Sequence, residues 1–236
     1  GDALPAARLA DLAAYLADLR AIAQGQAPSP RWASVFLPLQ SVLRSHQLPV
    51  PLLEDLLSAF AQDVEKTRDG EGYADREELL DYCRRSANPV GRLLLHLYGV
   101  ADAKALAQSD AICSALQLIN FWQDLSEDLP RGRYYLTDAD CQRFGVARAD
   151  LLRGVVHPDI QNLLADSAEW ARLCMQKGLQ LVHTIPGRMG WELRLVVQGG
   201  LRTLEHVQAL QGANLHTRVT LSARDAPIVL WRAIFM

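Results

Sequence analysis

The run Asp110–Asp128, DAICSALQLINFWQDLSED, constrains this chain more than any other stretch. On a helix advancing about 100° per residue, Asp110, Gln117, Asn120, Asp124 and Asp128 fall within an arc of roughly 80°. The rest of that surface is largely Ile112, Ala115, Leu116, Leu118, Ile119, Phe121, Trp122 and Leu125. A helix apolar on nearly every side is buried. Its polar stripe is therefore expected to face an interior pocket rather than bulk water.

The pattern elsewhere is also helical, with no alternating strand runs. Helices are expected over Ala6–Gln24, Pro30–Ser45, and from the Pro49/Pro51 pair to about Lys66. Arg68–Tyr73 reads as a loop. Asp75 can cap Arg76–Tyr98, which Pro89 should kink by removing the hydrogen bond to the Arg85 carbonyl. Ala103–Leu129 is the long apolar helix. Thr137 is an N-cap with Asp140 three residues on, Asp150 and Asp159 are further candidate caps, and Trp191–Leu210 is the last long helix. No linker or repeat interrupts the chain, so residues 1–236 are expected to form a single all-α domain.

With 50% hydrophobic and 22% charged residues, the 236 residues can bury a sizeable core. The net charge of −3 offers no general attraction to nucleic acid. Cysteines 83, 113, 141 and 174 are scattered, without zinc or disulfide spacing, and read as reduced thiols of a cytoplasmic protein. The six histidines show no ligand spacing. No glycine-rich dinucleotide motif is present. No apolar run reaches the roughly 18 residues of a membrane span, and GDALPAARLADL lacks the basic start and apolar core of a signal peptide. The C-terminal PIVLWRAIFM is expected to pack as a last helix, with contact to a membrane surface as the alternative.

Buried carboxylates cost several kcal/mol unless paired, hydrogen-bonded or metal-bound. Asp124 and Asp128, four residues apart, project from one helical face with Asn120 one turn earlier. Such hard oxygens suit Mg²⁺, which keeps waters and shares its shell with phosphate. Arg131 and Arg133 offer planar donor forks to phosphate oxygens. The stripe spans about 27 Å at 1.5 Å per residue, enough to line a deep pocket for an apolar chain. The plain alternative is a helix end in which Asp124 and Asp128 pair with Arg131 and Arg133.

Leu116–Leu136, LQLINFWQDLSEDLPRGRYYL, resembles the second aspartate-rich motif of the squalene/phytoene synthase family, including its Gly-Arg-x-Tyr-Leu ending. Asp81–Gly99, DYCRRSANPVGRLLLHLYG, resembles an upstream family segment, and its Ser-Ala-Asn-Pro wording is nearest the hydroxysqualene synthase branch of bacterial hopanoid biosynthesis. Arg218-Val219 resembles the family's C-terminal end.

The resemblance implies an all-α isoprenoid synthase fold around a central cavity. It implies Mg²⁺ and a prenyl diphosphate substrate, presqualene or farnesyl diphosphate. It places Asn120, Asp124 and Asp128 on Mg²⁺–diphosphate, Gln117, Arg131, Arg133 and Tyr135 on substrate, and Tyr82 beside the reacting centre. A membrane periphery and neighbouring hopanoid-pathway enzymes are the partners it suggests. The alternatives are a head-to-head condensing squalene or phytoene synthase, or a non-catalytic relative acting in assembly.

The chain departs from the family pattern in three places. The first Asp-rich motif is missing, with Gly1-Asp2 resembling its downstream edge, so residues 1–236 alone are expected to turn over weakly. Gln123 stands where many relatives have Arg. Gly199-Gly200 replace larger residues, widening the cavity or letting helices approach. Asp63 and Arg68 match a family D-x₄-R, with a surface ion pair as the alternative. Arg84 and Arg85 read as solvated, and Phe121 and Trp122 as core.

Overall fold

A computed structural model describes residues 3–236, and every element among them is helical. Gly1 and Asp2, matched above to the edge of a first motif, lie outside the described residues. The first three long helices are α1 (Pro5–Ala23), α2 (Ala33–His46) and α3 (Val50–Asp69). α3 runs through Arg68 and Asp69 of the expected loop and stops at Gly70, whose left-handed φ of 66° closes the C-terminus.

Next come α4 (Arg76–Ser86) and α5 (Asn88–Leu97). Asp75 caps α4 by accepting the Glu78 N–H at 2.9 Å. The expected kinked helix is thus two helices, and the break falls at Ala87 (φ −121°, ψ −47°) rather than at Pro89. The residue before a helix-opening Asn-Pro takes the distortion, while Pro89 sits in the first turn of α5, where its missing N–H costs nothing.

The apolar helix is α6 (Ala103–Gln123), followed by the single turn α7 (Leu125–Asp128). Asp102 starts it by accepting the Ala105 N–H at 2.9 Å. It bends at Asp124 (φ −101°, ψ 15°), so the stripe is not one straight line. The 128→124 backbone bond survives at 2.9 Å, which keeps the two aspartates one turn apart.

Two short helices follow, α8 (Asp138–Arg143) and α9 (Arg148–Arg153), then α10 (Pro158–Gly178), α11 (Leu181–Thr184), α12 (Gly187–Ala209) and α13 (Ala226–Ile234). Thr137 caps α8 as expected. Asp150 and Asp159 do not cap: the N-cap positions are Ala147 and His157, and both aspartates lie in first turns, where their charge meets the helix dipole.

α6 is the axis of the main core. Ile112, Leu118 and Trp122 are at most 2% exposed and pack with Leu163, Ala168, Ala171 and Met175 of α10 in one cluster. Each large side chain so buried stabilises the fold by about 1.5–3 kcal/mol. Gly178 lets the two helices approach, since a Cβ there would lie 2.5 Å from the Gln108 carbonyl oxygen. α1 and α2 enclose a smaller cluster of Leu19, Ile22, Phe36 and Leu43.

Candidate active site

α3, α4, α6, α7 and the Arg131–Tyr135 segment surround a cavity of about 440 Å³. All eight side chains singled out in the sequence line it: Tyr82, Gln117, Asn120, Asp124, Asp128, Arg131, Arg133 and Tyr135. Phe60, Asp63, Ser86, Phe121, Glu127 and Arg218 complete the wall.

The charged end contains more carboxylate than the protein neutralises. Asp128 is buried, and burial pushes its carboxyl above the ordinary range against the opposing pull of Arg133. Arg133 reaches it only at 3.4 Å, and the Arg133 Nε is buried without a partner among the described residues. Asp63 is likewise raised, first by burial, with the Tyr82 hydrogen bond acting the other way. Asp63 is therefore not half of a surface pair. Arg68 lies outside the pocket and bonds Asp69.

The plain alternative, in which Asp124 pairs with Arg131 or Arg133, does not hold. Arg131 pairs with Glu127 at 3.1 Å. Asp124 is held by both nitrogens of a fork from Arg218, at 2.6 and 3.1 Å. Gln123 explains how Arg218 arrives: its side-chain amide donates to the Val219 carbonyl at 2.6 Å. Asn214, fully buried, donates to the Trp122 carbonyl freed at the end of α6, at 3.0 Å. The Arg218-Val219 motif was the only sequence signal for this contact.

Below the charged end lies an aromatic floor. Phe121 stacks on Tyr135 with centroids 3.8 Å apart, so Phe121 is a pocket wall as well as core. Trp122 is core alone. The Tyr82 hydroxyl donates to Asp63 at 2.8 Å, and burial, then the Asp63 charge, keep that phenol protonated. The Ser86 hydroxyl, one turn on, is buried without a partner among the described residues.

Away from this pocket, α5 and α6 border a separate apolar space. Val90, Leu94, Cys113 and Leu116 line a second cavity of about 310 Å³ with Met189 and Leu193 of α12. Gly91 makes this possible, because any Cβ there would overlap Ser109 and Cys113. The far end of the stripe is closed, since Asp110 is held by Arg92 at 2.5 and 2.9 Å. Gly200 serves close packing: a Cβ would lie 2.6 Å from Leu116, whereas Gly199 meets open space.

The sequence model of the family described as squalene/phytoene synthase matches residues 1–225. The chain belongs to the squalene/phytoene synthase family. It is 36% identical over 121 residues to the hydroxysqualene synthase of Sinorhizobium fredii, a match covering 48% of this chain and 40% of that protein. It is 33% identical over 192 residues to the presqualene diphosphate synthase of Rhodopseudomonas palustris, covering 78% of this chain and 65% of that protein. The chain thus spans less than two thirds of either relative.

Among solved structures, squalene synthase HpnC from Alicyclobacillus acidocaldarius superposes with a TM-score of 0.79 at 33% identity, over 86% of this chain and 74% of that one. A dehydrosqualene synthase shares the fold, with a TM-score of 0.74 at 22% identity, over 96% of this chain and 77% of that one. The all-α isoprenoid synthase fold expected from the sequence is the fold of this family.

Proposed function

We propose that this family member acts on a prenyl diphosphate with Mg²⁺, and that the whole protein converts presqualene diphosphate to hydroxysqualene. The observation that carries the reading is the charged pocket, in which Asp63, Asp124, Glu127 and Asp128 gather beside the arginine forks of Arg131, Arg133 and Arg218.

The donor set fits Mg²⁺ in a particular way. Among the described residues no three acidic, His or Cys side chains converge on one point. Asn120, Asp124 and Asp128 offer hard oxygens to an ion that keeps waters and phosphate in its shell. Mg²⁺, when bound, would neutralise the departing diphosphate. Arg131, Arg133 and Arg218 would grip its oxygens, and the raised carboxyl of Asp128 would ionise fully beside the added positive charge.

The C–O bond breaks with its electron pair leaving on the diphosphate. Phe121 and Tyr135, which line the pocket, would lie beside the resulting cation. The cyclopropylcarbinyl cation rearranges with ring opening, and water adds to the allylic cation. Ser86 and Gln117 would hold that water, and the Tyr82–Asp63 pair lies on the same wall to accept the proton it loses. Similarity to hydroxysqualene synthases and the Ser-Ala-Asn-Pro segment favour this branch over condensation of two farnesyl diphosphates.

Incubation of the protein with presqualene diphosphate and Mg²⁺ in ¹⁸O-labelled water should place the label in the product alcohol. Condensation of farnesyl diphosphate without any use of presqualene diphosphate would overturn the branch assignment.

A further inference from the structure

Residues 217–222 form a strap beside the charged pocket, with neither helix nor strand among them. The strap is supported at each end. Asn214, fully buried, donates to the Trp122 carbonyl at 3.0 Å. Asp225, also buried, accepts from the Ser222 N–H at 2.8 Å and from Arg202 at 2.8 Å. Between these supports, the main chain of residues 218–221 makes one hydrogen bond among the described residues, from the Gln123 amide to the Val219 carbonyl at 2.6 Å. The Val219 side chain is buried, while Arg218, Thr220 and Leu221 are exposed. A segment with so few bonds of its own is placed by the contacts it does make. Here that contact comes from the last residue of α6, next in sequence to Asp124.

The consequence falls on Arg218. Its guanidinium grips Asp124 with two nitrogens, at 2.6 and 3.1 Å, yet its side chain is 51% exposed. An exposed pair of this kind stabilises little. A divalent cation on the Asp124 oxygens would stand within a few Å of the guanidinium, and their repulsion outweighs that small gain. The two cations therefore cannot share Asp124. Arg218 can leave by rotating its side chain, whereas its backbone stays in place because Val219 is held. A diphosphate arriving with the metal offers the same fork two oxygens in return.

We propose that Gln123 is a positioning residue for Arg218. By fixing Val219 it keeps Arg218 on Asp124 as a stand-in cation in the metal-free protein, and within reach of the diphosphate once metal displaces it, a role that rests on the pocket being a metal–diphosphate site.

The test measures binding of Mn²⁺ alone, by the paramagnetic resonance signal of the free ion, and of inorganic diphosphate at saturating Mn²⁺, by calorimetry. Arg218→Gln should bind Mn²⁺ alone about threefold more tightly, because the competing cation is gone, and diphosphate about tenfold or more weakly. Gln123→Met should weaken diphosphate binding by about threefold to fivefold in the otherwise unmutated protein. In the Arg218→Gln background it should change nothing further. A purely structural role for Gln123 would lower binding equally in both backgrounds. Gln123→Asn, which keeps an amide one methylene short of Val219, should give the same pattern and serves if Gln123→Met folds poorly.

Equal losses from the Gln123 variants in both backgrounds, or Mn²⁺ bound no more tightly by Arg218→Gln, would overturn the positioning role while leaving the pocket a metal–diphosphate site. No binding of Mn²⁺ with diphosphate by the unmutated protein would overturn that site, and the positioning role with it.

Discussion

At the seam of α4, α8 and α10, Arg76 and Arg143 face Asp140 and Asp166. Arg76 bonds Asp140 at 2.7 Å, Arg143 bonds it at 2.9 Å, and both guanidiniums also reach Asp166. The Thr137 hydroxyl adds a third donor to Asp140 at 3.0 Å, and Arg76 lies 4.6 Å over the Trp170 ring. Two cations meet two anions, and every charge has its partner inside the protein. The pocket uses the same residue types with a different balance: Asp63, Asp124, Glu127 and Asp128 face only Arg131, Arg133 and Arg218. Two of those four carboxyls are pushed up by burial. A balanced cluster clamps helices together; an unbalanced one retains an unmet demand for positive charge, the property a metal–diphosphate site requires.

The largest expected effect breaks the pocket side of this comparison. Asp128→Asn should weaken binding of Mn²⁺ with diphosphate by about a hundredfold, the upper end of the loss that even outer-shell partners cause. Its metal-free stability should stay level or rise, because an uncompensated buried charge is removed. Calorimetric titration and thermal melts on the same variant check both halves. A large loss of metal-free stability would place Asp128 with the structural cluster instead.

Arg76→Ala should do the reverse. It removes one of the three donors to the buried Asp140 and should cost about 2 kcal/mol by urea denaturation, with Mn²⁺–diphosphate affinity unchanged.

Tyr82→Phe leaves Asp63 without its 2.8 Å donor and should cost about 1–2 kcal/mol. The pH dependence sharpens the point. The Asp63 and Asp128 carboxyls are raised on folding. The stability they contribute is thus fully present below the ordinary carboxylate range and lost as pH rises through their higher folded values. Metal-free protein should weaken along that rise. Asp63→Asn/Asp128→Asn should flatten the slope, while Arg76→Ala should leave it in place.

The smallest effect on stability is expected at Asp124→Asn. Arg218 is half exposed, so losing this pair should cost at most about 1 kcal/mol of stability, although Mn²⁺–diphosphate binding should fall as it does for Asp128→Asn.

Local chemistry made most of the helices legible in the sequence. Apolar periodicity, the Asp75 and Thr137 caps and the glycine stops act within a few residues of chain, so they can be read from it directly. The polar stripe on α6 was visible for the same reason, because residues one turn apart share a face wherever the helix sits. Tertiary structure alone decided which partner each charge found. Arg218 reaches Asp124 across 94 positions, held by Gln123 and Asn214. Asp63 meets Tyr82 only because α3 packs beside α4. The outward apolar face of α13 exists because Ala233, rather than Trp231, fits against α12. Periodicity records which residues share a side of a helix. Which side is buried, and whether a carboxylate there is neutralised or left wanting a cation, depends on distant segments that only packing brings together.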